Sequence, residues 1–205
     1  MKPSQQPSLL FIISGPAGSG KTTICEALLS SKETLQRVVT ATTRPPRAGE
    51  VDGADYYFLS AEAFENKIAA GEFYEHAKVH LYHYGSLKHE IQNKLASGVD
   101  LLLNIDVQGA ATFRQTAAED PALKDRVVTI FIQPPSMDEL EKRLRLRASE
   151  SEQTLQVRLA TANKELAQAG DYDYCLPSGS REDDFKRIEA IYLAEKMRQR
   201  REVAK

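Results

Sequence analysis

The chain has 205 residues, 41% hydrophobic and 27% charged, a composition ordinary for a soluble globular protein with a sizeable core. A net charge of −2 excludes a global field that would draw it onto nucleic acid or a membrane, so any anion site must be local. The opening apolar run is too short for a signal peptide and no stretch reaches transmembrane length, while Cys25 and Cys175 sit in apolar contexts that suit buried thiols. A cytoplasmic protein is expected.

Leu9–Ile13 (LLFII) is short, apolar and followed by a glycine-rich turn, which predicts a buried strand. TTICEALLS has helical spacing, and VVTAT (Val38–Thr42) predicts a second strand. A Pro/Gly-rich turn leads to YYFL; AEAFENKIAAG then predicts a helix stopped by Gly71. EFYEHAKVH alternates like a half-exposed strand, and SLKHEIQNKLASG is again helical. LLLNI (Leu101–Ile105) and VVTIFI (Val127–Ile132) predict buried strands with a helix between them. Ser136 to Ala169 is helical and charged, DYCL (Asp173–Leu176) is a short last strand, and Arg181 opens an amphipathic helix. Apolar strands alternating with helices predict an α/β fold around a mainly parallel sheet, with insertions at 56–85 and 136–169.

Directly after the first strand, Gly15–Thr22 reads GPAGSGKT, matching GxxxxGK[ST] in the strand-to-helix context that this motif requires. Glycines at 15, 18 and 20 let the backbone N–H groups of the loop Gly15, Pro16, Ala17, Gly18, Ser19 and Gly20, in which only the proline lacks a donor, converge on phosphate oxygens at a helix N-terminus. Lys21 would reach the β- and γ-phosphates and the Thr22 hydroxyl would ligate Mg²⁺. The pattern predicts a nucleoside triphosphate site. It leaves the phosphate acceptor open.

A second stretch bears on the acceptor. In TTRPPR, Arg44 and Arg47 flank two prolines, which fix φ and stiffen the chain between them. An isolated RxxR is ordinarily two solvated charges. Beside a phosphate loop it reads as a preorganised fork for a second phosphate, because guanidinium groups match that anion bidentately.

TTRPPRAGEVDGADYYF (Thr42–Phe58), GEFYEHAKVHLYHYGS (Gly71–Ser86), NIDVQGA (Asn104–Ala110) and PPSMDELEKRLRLR (Pro134–Arg147) resemble the guanylate kinases, the nucleoside monophosphate kinases that act on GMP. The similarity runs in order from about residue 9 to the end. The resemblance implies a P-loop NTPase-type parallel sheet core with an inserted GMP-binding lobe and a helical lid. Within one domain spanning 1–205, the core would take 1–39, 86–135 and 166–205, the GMP lobe 40–85 and the lid 136–165. It further implies Mg²⁺-dependent phosphoryl transfer from ATP to GMP, with no nucleic-acid or membrane partner, in a monomer or a homodimer. A kinase for another nucleoside monophosphate and a non-catalytic binding module of the same fold are the alternatives. The intact phosphate loop disfavours the module.

On this resemblance Arg44 and Arg47 grip the GMP phosphate with the hydroxyls of Tyr56 and Tyr84, and Thr40 stands where the family commonly has Ser. Glu75 also follows from chemistry: guanine presents N1–H and the 2-amino group as adjacent donors, and a carboxylate offers only acceptors. Ser86 would donate to guanine O6. Asn104 and Asp106 end the buried strand LLLNI at the carboxyl edge of the sheet, where ligands of such folds bind. Asp106 would hold Mg²⁺ through water, orient the arginines, or cap the next helix. The family usually has an acid at 104; Asn keeps an acceptor oxygen without the charge. Arg143 and Arg147, four apart on a helix, and Arg158 on the next segment would close on the ATP phosphates as the catalytic cations beside Lys21 and Arg44. Ala148 replaces a usual Gly, and Ser178 a usual Asn, which would weaken or rebuild adenine contacts. His76, His80, His83 and His89 read as surface residues, since no carboxylate or Cys spacing makes them a metal site.

Overall fold

The computed structural model describes residues 7–79, 81–147 and 152–198. Along the chain, β1 (Leu10–Ser14) leads through α1 (Lys21–Ser31) to β2 (Leu35–Arg37). Next come β3 (Ala41–Thr42), β4 (Tyr57–Phe58), α2 (Ala61–Ala69), β5 (Phe73–Val79) and β6 (Tyr82–Leu87). Then follow α3 (Lys88–Ala96), β7 (Asp100–Asn104), α4 (Val107–Ala118) and β8 (Val127–Gln133). The last elements are α5 (Met137–Arg147), α6 (Glu152–Leu166), β9 (Tyr174–Pro177) and α7 (Arg181–Met197).

Five strands form a sheet in the order β2-β7-β1-β8-β9, every neighbouring pair parallel. Its apolar runs follow from burial on both faces. In β1, Leu10 and Ile12 join a core with Ile91, Val107 and Phe113, while Phe11 and Ile13 join another with Ile24, Leu28, Ile188 and Tyr192. Period-two alternation thus packs α3 and α4 on one face and α1 and α7 on the other. Residues Leu10 to Ile13 are all 0% exposed, and each such side chain contributes about 1.5–3 kcal/mol. This rigid centre fixes the turn after β1.

The second sheet, in the order β4-β3-β6-β5, carries its own small core. Ser60 caps α2 by accepting from Ala63 N–H at 3.0 Å, and Phe64 of that helix stacks on Phe73 of β5 with ring centroids 4.6 Å apart. The helix ends at Gly71, as the sequence predicts, with φ 67° and its N–H donating to Ile68 O.

The predicted strand Val38–Thr42 is divided between the two sheets. Val38 N–H still donates to Leu102 O at 2.9 Å, whereas Thr40 O accepts from Tyr57 N–H at 2.9 Å, so the chain changes sheets at Val39. Glu90 of α3 secures this crossing: it accepts from Tyr57 Oη at 2.8 Å and from Lys94 Nζ at 2.7 Å, with Val39 N–H 3.4 Å away. The predicted helix at 86 begins only at Lys88, because Ser86 and Leu87 belong to β6.

The helical stretch from 136 resolves into α5 and α6, which share a buried cluster of Leu140, Leu144, Leu155 and Ala162. Cys175 is exposed, contrary to the expectation of a buried thiol: β9 is an edge strand and turns Leu176, not Cys175, inward. No helix among the described residues is long and apolar enough to cross a membrane.

Candidate active site

The turn after β1 wraps the start of α1. Gly15 has φ 141°, and a Cβ there would lie 2.4 Å from Ile132 O, so the loop can lie against β8 only with glycine at this position. Gly20 stands at the N-cap of α1 without a side-chain cap, and the first turn carries no acid. The first N–H groups of the helix are thus left uncapped by side chains, the local chemistry that favours an anion. Lys21 Nζ folds back to donate to Gly15 O at 2.6 Å and Pro16 O at 2.9 Å, curling over the loop that holds it. Leu140 and Leu144 of α5 pack over Gly18, bringing the base of the helical pair onto the same loop.

The arginine motif is fixed from beneath. Thr42 pairs with Tyr84 across β3 and β6; its Oγ1 donates to His83 O at 2.9 Å and accepts from Arg44 N–H at 3.2 Å. Arg44 is buried, 8% exposed, with Cζ 5.4 Å from the Tyr56 ring centroid. Tyr84 lies against Tyr56, ring centroids 6.2 Å apart, and beside the Arg44 guanidinium. Arg47 is exposed. Arg44, Tyr56 and Tyr84 therefore converge, and Arg47 stands at their rim. Glu50 is also here, accepting from both arginines, and the sequence reading gave it no role. Its signal was an acid three residues after Arg47 within a basic motif.

Glu75 and Ser86 face each other across β5 and β6, and Ser86 Oγ donates to Glu75 Oε1 at 2.6 Å. The hydroxyl hydrogen expected for guanine O6 is thus committed to Glu75. Glu75 is 6% exposed, and its pKa is pushed up to about 7 by burial and by the Asp106 charge, against the pull of Ser86. A Cβ on Gly109 of α4 would lie 3.2 Å from both Glu75 Oε2 and Asp106 Oδ1, so glycine lets the helix N-terminus approach both carboxylates. Tyr84 and Ser86 lie two apart on β6, hence on one face, on the order of 7 Å along the strand. One face of the second sheet thus carries a cationic end and a buried carboxyl end.

A cleft of about 160 Å³ lies between α1, β2, the end of β7 and the turn at 55–56, lined by Thr22, Thr40, Tyr56, Cys25 and Asn104 among others. Burial pushes the Cys25 thiol up to about 12, which keeps it protonated and no nucleophile. Asp106 is exposed and caps α4, its Oδ1 accepting from Gly109 N–H at 2.6 Å. Thr22 is exposed at the start of α1. Two hard oxygen donors suit Mg²⁺, which keeps waters and nucleotide oxygens as its other ligands. Among the described residues no group of three His, Cys, Asp or Glu side chains converges for a metal, so His76, His83 and His89 form none, and His80 lies outside them.

On the helical pair, Arg143 Nε donates to Glu139 Oε1 at 3.1 Å, and its NH1 lies 3.5 Å from Ser178 Oγ. Arg158 is on α6, half-buried; the Arg147 side chain and Ala148 lie outside the described residues. Ser178 is 5% exposed and bonded to Asp184 Oδ2 at 3.2 Å, while a Cβ on Gly20 would lie 3.4 Å from its Oγ. Its hydroxyl lies close to the phosphate loop at Gly20.

A parallel sheet with a phosphate loop after its central strand, a second, smaller sheet and an arginine-bearing helical pair defines a P-loop kinase of the nucleotide-kinase type. Residues 8–195 match the family model described as guanylate kinase, and the chain belongs to that family. It is 44% identical to a guanylate kinase of Clostridium perfringens over 93% of this chain and 85% of that one. Identity to a Rickettsia bellii guanylate kinase is 37%, over 94% of this chain and 97% of that one. A crystal structure of guanylate kinase from Anaplasma phagocytophilum superposes with TM-score 0.71 at 33% identity, covering 95% of this chain and 89% of that one.

Proposed function

We propose that this chain transfers the γ-phosphoryl group of ATP to GMP, giving ADP and GDP, in the cytoplasm that supplies both nucleotides. The observation that carries this is Glu75: a carboxyl sealed at 6% exposure on the face that also bears the Arg44 cluster. Guanine offers that carboxylate two adjacent donors, whereas adenine turns an acceptor toward it and leaves a buried group unpaired, a mismatch worth on the order of 10⁴-fold in selection.

The assigned roles divide by region. The backbone of Gly15 to Gly20 holds the ATP phosphates, and Lys21 leaves its loop carbonyls for them. Arg44, Arg47, Tyr56 and Tyr84 hold the GMP phosphate, Glu75 reads the base, and Thr40 and Asn104 line the cleft between. One oxygen of the GMP phosphate attacks the γ-phosphorus as the bond to the β-phosphate oxygen breaks. Arg143, Arg147 and Arg158 neutralise the charge that develops. The Thr22 hydroxyl and Asp106 are the residues that would hold Mg²⁺, which would supply charge neutralisation across the phosphates.

The proposed division is a core of 1–39, 86–135 and 166–205, a GMP lobe of 40–85 and a lid of 136–165. Lobe and lid would close over both nucleotides and exclude water. All assigned residues belong to one chain, so the reading needs no second copy. An ADP-release assay across GMP, dGMP, AMP, CMP and dTMP tests it. Guanine nucleotides alone should turn over well. Equal rates with AMP or CMP would overturn the Glu75 assignment, and no turnover with any acceptor would make the chain a binding module.

A further inference from the structure

Glu50 stands inside the arginine motif, and nothing in the reaction above uses it. Its Oε2 accepts from Arg44 NH1 at 2.9 Å, its Oε1 from Arg44 NH2 at 2.8 Å, and Oε2 also accepts from the Arg47 backbone N–H at 2.7 Å. In return Glu50 N–H donates to Arg47 O at 3.1 Å, closing a turn in which Gly49 has φ 87°. One carboxylate therefore holds the side chain of the first arginine and the backbone of the second.

The donor inventory of Arg44 is informative. A guanidinium has five N–H groups. Glu50 takes the end-on pair, and Pro45 O takes a further NH1 hydrogen at 2.9 Å. Nε–H and the second NH2 hydrogen make no bond to Glu50 or Pro45, and the Tyr84 hydroxyl stands beside the guanidinium. These two hydrogens lie side by side on one edge, the shape that grips two phosphate oxygens. The rings of Tyr56 and Phe58, 5.4 and 5.8 Å from Cζ, limit rotation of the guanidinium.

We propose that Glu50 is the positioning residue of the acceptor-phosphate fork: it clamps Arg44 end-on so that the side edge faces the phosphate, and it fixes the turn from which Arg47 projects. The inference rests on the reading of Arg44 and Arg47 as the GMP-phosphate grip. Arg44 and the Arg47 N–H hold the carboxyl down to about 2, so the clamp stays charged at any working pH. A phosphate entering the end-on face instead would meet this carboxylate, a like charge, and would release the Arg47 N–H. The side edge has neither cost.

The test compares Glu50→Ala, Glu50→Gln, Arg44→Ala and the double variant Arg44→Ala/Glu50→Ala, using KM for GMP and ATP and guanosine affinity by calorimetry. Glu50→Ala should raise KM for GMP roughly 10- to 100-fold, the effect of a misplaced binding group, with KM for ATP and guanosine affinity unmoved. Glu50→Gln, which keeps the length and one acceptor, should recover part of the loss. The double variant should be little worse than Arg44→Ala, because Glu50 acts mainly through that side chain. An unchanged or lower KM for GMP in Glu50→Ala, or tighter GMP binding in Glu50→Gln, overturns the proposal, since the carboxylate is then idle or a competitor. An equal loss for guanosine also overturns it, because the residue then only supports the lobe. If Arg44→Ala itself spares KM for GMP, the phosphate reading fails and Glu50 with it. A strong Arg44→Ala effect with a silent Glu50→Ala sinks the Glu50 inference alone.

Discussion

Ser86 donates its hydroxyl hydrogen to Glu75 at 2.6 Å, with both residues almost sealed from water. Burial nevertheless dominates, and the carboxyl titrates near 7. Guanine's two donors favour the ionised form, so GMP binding should release roughly half a proton per site at pH 7. Calorimetry in two buffers of different ionisation enthalpy measures this, and KM for GMP should fall as pH rises from about 6 to 8. Glu75→Gln should release none. A proton count of zero in the wild type would contradict the base-reading role.

The same shift sets a stability slope in the nucleotide-free protein. The folded-state pKa is raised, from 4.5 to about 7, so between these values the folded chain holds a proton that the unfolded chain has lost. Stability should therefore fall as pH rises through that window, by about 3 kcal/mol attributable to Glu75. Urea unfolding at pH 5 and pH 8 should show Glu75→Gln losing less stability than wild type over the same interval.

The sheet core was legible because its strands are buried on both faces and so read as unbroken apolar runs, as Leu10–Ile13 does. The phosphate loop was legible because its geometry demands glycine at fixed spacing. What escaped was set by partners distant in sequence. Val38–Thr42 reads as one strand, yet Leu102 claims one end and Tyr57 the other. Cys175 has apolar neighbours, but its exposure depends on β9 lying at the sheet edge. Glu50 went unread because an acid among arginines has no periodic signature; only the folded turn brings it onto both.

Lys21 bonds Gly15 O and Pro16 O of its own loop. Lys21→Ala should lower kcat by roughly 100-fold or more while costing about 1 kcal/mol of stability. Steady-state turnover and a thermal melt decide it. Near-normal activity in a folded variant would remove Lys21 from the phosphate site.

Glu90 ties the crossing between the two sheets through Tyr57 and Lys94. Glu90→Ala leaves the Tyr57 hydroxyl without its acceptor and should cost about 2–3 kcal/mol in urea unfolding. Tyr57→Phe should cost about 1 kcal/mol, and the double variant less than the sum, since the two share a bond. Strict additivity would mean that Glu90 stabilises α3 rather than the crossing.

Arg44 is buried against Tyr56 while Arg47 is exposed, so the two arms of the fork should differ in worth. Replacing Arg44 by Ala removes a charge-assisted, largely desolvated contact with the acceptor phosphate. The expected loss is about 2–4 kcal/mol, a rise in KM for GMP of roughly 30- to 1,000-fold, with KM for ATP hardly moved. Arg47→Ala should cost less, because an exposed contact is weakened by water and salt. Lysine at 44 should rescue only in part: a point charge cannot match a planar guanidinium that holds Glu50 on one edge and offers phosphate the next. Guanosine, which lacks the phosphate, should bind wild type and variants alike. Equal weakening of ATP and GMP, or loss of guanosine affinity as large as that of GMP, would mean that the arginines only brace the lobe.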